Sequence, residues 1–425
     1  MILASTISMA QTAPAVEAPR TEVAVQVKPD TLTDIDAIAL EKANIRLVRF
    51  GIYYHPHFDT EGPTAREWDR YDRIFQILGR HHIKVLMTAF VPPALLEEQI
   101  KDVTNKEDAP SVDKALVRRT LEHDLDSLVM NVLKRYGPSI AAIELWNEPD
   151  NKRFWNASQL GPYPEAMSGI CAVAKKWPIQ HLYGYGYMFL PGGDTVTTPL
   201  YQEMEKHGAM SCLEGVSGHF YREKAEQITD EAAFAREFTG KPILITELGA
   251  SSLSSTRTEL QQADLITRMI LSAVIARVPM ISIYEWKDTP DAIPEREKHF
   301  GVLNSDSRPK PIYVALSTFQ DIYLKSHYKN GFCHADYCYL ELNSASNIYI
   351  FVWSREDIDL PLDTVIQSEE IETKLVRSLG DYYTSSAKEI TITRSPLLVK
   401  ISPPQPVIPP AKTQKIEVKG PVAWQ

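Results

Sequence analysis

The feature that most constrains the fold of this 425-residue chain is a regular alternation of short apolar runs and longer amphipathic stretches. Apolar runs of this length predict buried strands, and apolar residues at helical spacing predict helices that pack against them. The predicted strands are Glu22–Val27, Ile45–Ile52, Ile83–Ala89, Ile140–Trp146, His181–Tyr187, Gly215–Phe220, Ile243–Glu247 and Met280–Trp286. The predicted helices are Leu32–Ala43, Ala65–His81, Val112–Tyr136, Tyr163–Lys175, Leu200–His207, Glu231–Phe238, Glu259–Ala276 and Ile312–Tyr323.

Eight strand–helix units in succession indicate a parallel sheet, because a helix after each strand returns the chain to the start of the next one. Eight such units within about 300 residues favour a closed barrel over an open doubly wound sheet. No glycine-rich phosphate loop follows the first strand, which argues against a dinucleotide-binding fold. We therefore predict an α/β fold whose main part is a (β/α)8 TIM barrel over residues 22–324.

The sequence changes in character after residue 324. Short strand-like runs separated by turn residues replace the helical periodicity, which is typical of a small antiparallel β-sandwich. These runs are Tyr337–Asn343, Asn347–Trp353, Lys374–Arg377, Glu389–Thr393 and Leu397–Ile401. We predict this accessory domain over residues 325–402 and a proline-rich tail over residues 403–425.

The charge balance limits the kinds of partner that the chain can bind. The formal net charge is −10 and no block of Lys or Arg offsets it, so nucleic acid and anionic membrane surfaces are unfavourable partners. No apolar stretch is long enough to span a membrane. A neutral polymer such as a polysaccharide remains compatible with this surface. No cofactor and no metal cluster are expected, since the cysteines form no CxxC pair and the histidines lack zinc-finger spacing.

Two features bear on the cellular compartment. In the N-terminal tail, residues 1–21, the sequence Ser8-Met9-Ala10 resembles a signal-peptidase site, but no basic segment precedes it. The tail is either the remnant of a signal peptide or a segment without this role. Cys333 and Cys338 flank four residues and either form a disulfide across a hairpin turn or remain free thiols. We expect a secreted or periplasmic protein.

Two glutamates stand at the ends of predicted strands, where a barrel enzyme carries its catalytic residues. Glu148 follows the fourth strand, and Glu247 ends the seventh. These strands lie on opposite sides of an eight-stranded barrel, so their carboxylates can converge across its mouth. Cleavage of a glycosidic bond requires such a pair, one to protonate the leaving oxygen and one to attack the anomeric carbon or activate water.

The motifs around these glutamates resemble those of clan A of the glycoside hydrolases. The sequence Trp-Asn-Glu-Pro occupies residues 146–149, and Thr-Glu-Leu-Gly follows with its Glu 99 residues after Glu148. The resemblance implies a retaining enzyme of oligo- or polysaccharides, with Glu148 as general acid/base and Glu247 as nucleophile, acting on equatorial linkages. The C-terminal stretch that contains Asn-Ile-Tyr-Ile-Phe-Val-Trp-Ser resembles the β-domain of family thirty-nine xylosidase-like enzymes more loosely.

The same resemblance assigns roles to five further residues. It implies that Asn147 binds the 2-hydroxyl of the sugar, that Arg49 supports the nucleophile and that Tyr221 donates to it. It also implies that His219 lies in the site and that Trp286 forms an aromatic platform under the sugar. Each of these residues could instead be structural, and Glu144, inside the fourth strand, is expected to be so.

The residues leave three other interpretations open. The first is a barrel that binds carbohydrate without cleaving it, and the second is a transglycosylase that uses the same two glutamates. The third is a metal-dependent hydrolase, which needs a set of His and Asp ligands that the strand ends do not show in sequence. The sugar and the oligomeric state are open too.

Overall fold

The computed structural model describes residues 20–56, 65–104, 113–253, 255–290, 295–356, 359–366, 371–377 and 383–402. Eight parallel strands close into a barrel in which each strand pairs with the next in sequence and the eighth pairs with the first. The strands are β1 (Glu22–Gln26), β2 (Leu47–Tyr53), β3 (Lys84–Phe90), β4 (Ile140–Leu145), β5 (Leu182–Tyr187), β6 (Gly215–Phe220), β7 (Ile243–Leu248) and β8 (Met280–Ile283). The predicted (β/α)8 barrel is confirmed.

Helices surround the barrel. They are α1 (Asp34–Lys42), α2 (Ala65–Arg80), α3 (Pro93–Thr104), α4 (Lys114–Tyr136), α5 (Ala157–Leu160), α6 (Tyr163–Ala166), α7 (Ile170–Ala174), α8 (Thr197–Lys206), α9 (Gln227–Thr239), α10 (Glu259–Ile275) and α11 (Pro311–Leu324). The single helix that we predicted over Tyr163–Lys175 is two short helices, because the chain turns between Met167 and Gly169. None of these helices is both long and apolar enough to cross a membrane.

Local sequence signals explain where several helices begin and end. Thr33 and Asp36 form a capping box at the start of α1, in which each side chain accepts from the other residue's backbone N–H. Thr258 and Gln261 do the same for α10. Gly240, with φ 64°, ends α9 in the left-handed conformation that glycine adopts without steric cost.

The inside of the barrel changes from apolar to polar towards the carboxyl ends of the strands. A cluster apart from the main core fills its lower part: Ala24, Leu47, Leu86, Ala142, Leu244 and Met280. Side chains alternate along a strand, so the next inward position lies two residues further on. Those positions hold only polar residues: Gln26, Arg49, Thr88, Glu144, Thr246 and Ser282. We call these six residues the polar layer, and it lies directly beneath the mouth.

The C-terminal part is a two-layer β-domain with unequal layers. Six strands form an antiparallel sheet in the order β14–β13–β16–β11–β10–β9, and β12 pairs with β15 in a second, two-stranded layer. The strands are β9 (His327–Cys333), β10 (Tyr337–Asn343), β11 (Ile348–Ser354), β12 (Leu360–Pro361), β13 (Ile371–Leu375), β14 (Tyr383–Ser385), β15 (Thr391–Ile392) and β16 (Leu397–Ile401). Residues 1–19 and 403–425, which we predicted as tails, lie outside the described residues.

All four cysteines are paired. Cys333 and Cys338 form the disulfide across the β9–β10 hairpin, with Cα atoms 4.1 Å apart. Cys171 of α7 pairs with Cys212, which precedes β6, and this bond was not predicted because 41 residues separate the two. The Cys171–Cys212 disulfide links the irregular region after β4 to the segment that precedes β6.

A buried polar contact joins the β-domain to the barrel. Glu226, 2% exposed, forms an ion pair with Arg268 of α10 at 3.0 Å, and the indole Nε1 of Trp353 on β11 donates to the same carboxylate at 2.8 Å. Phe351 of the same strand packs against Phe319 of α11. The face of the large sheet that carries Trp353 and Phe351 is therefore covered by the barrel's helices.

We expect Trp353→Phe to destabilise the protein by about 2 kcal/mol, because a hydrogen bond to a buried charged group is lost. Urea unfolding, followed by fluorescence and circular dichroism, measures the change. Tyr349→Phe is the matched control, since Tyr349 lies on the same strand, is half-buried and accepts only a surface bond from Asn347. Equal stability of the two variants would contradict a docking role for Trp353.

Candidate active site

Arg49 is the centre of the polar layer. Its guanidinium is 1% exposed and donates to Glu144 through Nε at 2.8 Å and to Glu247 through Nη1 at 2.6 Å. It also donates to Gln26 at 2.9 Å and to the side-chain oxygen of Asn147 at 3.1 Å. Burial lowers the pKa of Arg49, but the two carboxylates outweigh it and raise the pKa, so the guanidinium stays charged.

Glu247 is held as a carboxylate by its surroundings. Burial alone would raise the pKa of Glu247, but His219 and Arg49 lower it below its usual value, with help from hydrogen bonds. One of those bonds comes from the Tyr221 hydroxyl, which donates to Oε2 at 2.8 Å. Burial and the charge of Glu247 raise the pKa of Tyr221, which therefore stays protonated and able to donate. The arrangement suits a nucleophile.

Glu148 has a different set of neighbours. Its side chain is 17% exposed at the mouth, with Oε1 2.8 Å from Nδ1 of His219 and Oε2 accepting from the Asn151 amide at 2.8 Å. The backbone of Glu148 has φ 45°, a left-handed conformation uncommon for a residue with a side chain, and its N–H donates to the carbonyl of Gly186. The turn after β4 therefore aims this carboxylate into the mouth.

The two glutamates lie close together. One carboxylate oxygen of Glu148, one of Glu247 and a ring nitrogen of His219 all lie within 4.8 Å of one another. His219, 1% exposed, reaches both carboxylates, with Nδ1 also 3.6 Å from Oε2 of Glu247. A separation of about 5–5.5 Å is typical of retaining glycosidases, whereas inverting enzymes keep about 6.5–9.5 Å for a water molecule.

The same three groups form the one potential metal-ligand cluster among the described residues. The sequence did not suggest such a set, because His219 follows Glu148 by 71 positions. The electrostatics of the cluster weigh against a divalent ion there. The Arg49 guanidinium lies 2.6 Å from Glu247, and the neighbouring carboxylates raise the pKa of His219 against the opposing effect of burial. The local positive charge is already supplied by the protein.

We therefore expect that prolonged treatment with EDTA leaves turnover unchanged, within a factor of about two. The physical reason is that the Arg49 guanidinium and Nδ1 of His219 already contact the carboxyl oxygens of Glu247 and Glu148 that a metal ion would need. Activity is compared before and after dialysis against the chelator, with added Mg²⁺, Zn²⁺ or Ca²⁺ as controls. A loss of activity that one of these ions restores would contradict the assignment and favour a metal-dependent hydrolase.

Trp286 does not lie where the sequence placed it. We predicted β8 as far as Trp286, but the strand ends at Ile283, and Trp286 is 2% exposed within the core, packed against Tyr313. Its ring therefore offers no face to a ligand. The aromatic side chain at the end of β8 is Tyr284, which is partly exposed and lies 6.3 Å from the Tyr221 ring. Had the end of β8 been known, the alternation of side chains along the strand would have identified Tyr284 as this aromatic residue.

The structure thus gathers six of the seven predicted site residues around one mouth: Arg49, Asn147, Glu148, His219, Tyr221 and Glu247. Sequence reasoning missed Asn151 and Tyr284. Asn151 stands three residues after Glu148 on the turn that follows β4, and a polar residue at that spacing was the available signal.

Comparisons with known proteins agree with this architecture. No family model matches the sequence, and no curated protein matches it. Among solved structures, a family 39 glycoside hydrolase from Bacteroides cellulosilyticus is 15% identical with a TM-score of 0.66, covering 90% of this chain and 81% of its own. A glucosidase from Croceicoccus marinus is 12% identical with a TM-score of 0.60, covering 92% and 97%.

A family 30 endoxylanase from Clostridium papyrosolvens is 11% identical with a TM-score of 0.59, covering 91% of this chain and 98% of its own. These alignments span both parts of the molecule, since each covers at least 90% of the chain. The chain therefore has the fold of these glycoside hydrolase structures, a closed parallel barrel followed by an antiparallel β-domain.

Proposed function

We propose that this protein is a retaining glycoside hydrolase that cleaves O-glycosidic bonds of an oligo- or polysaccharide. The observation that carries the proposal is the pairing of Glu148 and Glu247, whose carboxylate oxygens approach within 4.8 Å in different environments. Glu247 accepts from Arg49 and Tyr221 and is kept ionised, whereas the partners of Glu148 are His219 and Asn151. This division is what a nucleophile and an acid/base require.

The first chemical step forms a covalent intermediate. The Glu247 carboxylate attacks the anomeric carbon, and the bond from that carbon to the leaving oxygen breaks. The Glu148 carboxylic acid gives its proton to the departing oxygen, so the product leaves as an alcohol. Arg49 and Tyr221 hold Glu247 in line through Oε1 and Oε2 respectively.

The second step returns the enzyme to its starting state. Glu148, now a carboxylate, takes a proton from a water molecule, whose oxygen attacks the anomeric carbon from the face that the alcohol left. The ester bond to Glu247 breaks, and Glu247 recovers its charge beside Arg49. Two inversions give a product with the configuration of the substrate.

Two further side chains are proposed to bind the sugar. The Asn147 oxygen is occupied by Arg49, so its amide nitrogen remains to donate to a hydroxyl next to the reacting carbon. Tyr284 replaces Trp286 as the aromatic ring that packs on the apolar face of the sugar. Its hydroxyl keeps its proton, since burial, Glu285 and Glu247 raise the pKa of Tyr284.

The test is turnover on a panel of aryl glycosides and polysaccharides with equatorial linkages. The panel includes xylan and aryl xylosides and glucosides, because the similar structures are a xylanase and a glucosidase by name. We expect at least one substrate to be hydrolysed by the wild type and not by Glu247→Ala. Tight glycan binding without turnover would favour a non-catalytic binding protein. Transfer to added sugar acceptors in preference to water would favour a transglycosylase.

We also propose a secreted or periplasmic location. Both disulfides join cysteines that would stay reduced in most cytosolic proteins. Quantifying free thiols in protein isolated from its native compartment tests this proposal. Four free thiols would contradict it.

A further inference from the structure

The carboxylate of Glu144 is buried beneath the two proposed catalytic glutamates and takes no part in the steps above. It is 0% exposed on β4, and its Oε2 accepts from Nε of Arg49 at 2.8 Å and from the Thr88 hydroxyl at 3.1 Å. A second nitrogen of Arg49 lies 2.7 Å from the same oxygen. Arg49 is therefore held between Glu144 below and Glu247 above, which fixes its plane.

The other oxygen of Glu144 is also enclosed but has no hydrogen-bond partner in the protein. The same is true of Nε2 of His219, the ring nitrogen that faces away from Glu148. Both atoms lie beside the same residue, Gly186. A Cβ on Gly186 would lie 3.2 Å from Oε1 of Glu144 and 3.5 Å from Nε2 of His219.

A buried acceptor and a buried ring nitrogen without partners are costly, so native proteins satisfy such atoms, often with an internal water molecule. A Cβ at position 186 would crowd Oε1 of Glu144, and the φ of 55° also favours glycine, so the residue beside both atoms carries no side chain. Two polar atoms that converge on one point give a water molecule both an acceptor and a donor.

We propose that Glu144 is a positioning residue of the site, which holds Arg49 by direct hydrogen bonds and His219 through one water molecule shared at Gly186. The assignment rests on the proposed function and extends it to a third glutamate. Glu144 supplies the negative charge that pairs with Arg49 below the mouth. Arg49 then orients Glu247, and His219, fixed at Nε2, keeps Nδ1 on Glu148.

The charged groups around His219 determine how the pKa values in the site change when Glu144 is replaced by a neutral residue. They come from Arg49 on β2, Glu144 on β4, Glu148 after β4 and Glu247 on β7, with the Tyr221 ring on its own segment. Removing one negative charge makes this region more positive. Glu247 and His219 then each lose a proton at lower pH than in the wild type.

The test compares Glu144→Gln with Glu285→Gln. Glu285 is the matched control because it is also buried, at 1% exposed, and paired with a cation, Lys28, at 2.8 Å, but its side chain forms no hydrogen bond or ion pair with Arg49, Glu148, His219 or Glu247. We expect the acidic limb of the pH profile of kcat/KM, which reports ionisation of Glu247, to move to lower pH in Glu144→Gln, and the His219 pKa in ¹⁵N NMR to fall by about one unit. Neither should move in Glu285→Gln.

A crystal structure of the wild type is the measurement that needs neither activity nor a stable variant. We expect an ordered water within about 3.2 Å of both Oε1 of Glu144 and Nε2 of His219. No water there, or an unchanged His219 titration in a folded Glu144→Gln variant, would overturn the proposal. If the panel of glycosides is not turned over, the proposed function fails, while the water and the NMR titration still decide the role of Glu144.

Discussion

Glu247→Ala should lower kcat/KM by roughly 10⁴- to 10⁶-fold, the loss expected when the nucleophile of a covalent mechanism is removed. Without its carboxylate no glycosyl-enzyme can form, and Arg49 and Tyr221 are left without their shared partner. Azide is small enough to occupy the space of the missing carboxylate and is attracted by the Arg49 charge. It should restore turnover of activated aryl glycosides and give a glycosyl azide of inverted configuration.

The control for this variant is Glu214→Ala, which removes an exposed glutamate that precedes β6 and pairs with His181 at the surface. Its activity should equal that of the wild type. Thermal unfolding of both variants shows that the comparison is between folded proteins. If Glu247→Ala keeps more than about a tenth of the wild-type activity while folded, the nucleophile is another group.

Glu148→Ala should give a loss that depends on the leaving group. A phenol of low pKa leaves without a proton, so its release should slow little, whereas an alkyl or sugar leaving group should lose about 10²- to 10⁴-fold. The second step slows for every substrate, because no base remains to activate water. With activated substrates the variant should therefore show a burst of phenol followed by slow turnover.

Azide distinguishes the two variants. In Glu148→Ala it attacks the glycosyl-enzyme on the face opposite Glu247, so the glycosyl azide keeps the configuration of the substrate. A uniform loss across leaving groups, or an azide product of inverted configuration, would show that Glu148 is not the acid/base. Asn151→Ala is a milder variant for comparison, because it keeps Glu148 and removes only the amide that donates to it.

The barrel could be predicted from sequence because its strands are buried on both faces and read as continuous apolar runs. The C-terminal strands Tyr337–Asn343 and Leu397–Ile401 were predicted with the bounds that the structure has. β9 was missed, since its sequence carries Lys, Asn and Gly and its side chains are mostly half-exposed. Helix α3 was not among the predicted helices.

The site could be predicted where a residue follows directly from its strand. Glu148 and Glu247 were identified in this way, whereas Arg49, inside β2, was named from the resemblance to clan A. The structure joins Arg49 to Glu247 and to Asn147, the residue before Glu148. The end of β8 was wrong by three positions, since it was predicted at Trp286, whereas the strand ends at Ile283 and Trp286 lies in the core. Sequence alone gives no strand end to that accuracy.

Contacts between distant segments were beyond sequence reasoning for a different reason. Glu144 was expected to be structural, and nothing in its neighbours in sequence shows that it shares Arg49 with Glu247 or faces His219 beside Gly186. The Cys171–Cys212 bond is similar, since it depends on how two irregular segments meet. Such contacts depend on closure of the barrel, which brings strands distant in sequence together.

The most direct test of the two-glutamate mechanism is to trap the covalent intermediate. Incubation with a 2-deoxy-2-fluoro glycosyl fluoride of the active sugar slows the second step, and peptide mapping by mass spectrometry then locates the label. The mechanism predicts one sugar per chain, attached to Glu247 and absent from Glu247→Ala. A label on another residue, or rapid hydrolysis of ordinary substrates to the inverted anomer with no label at all, would contradict it.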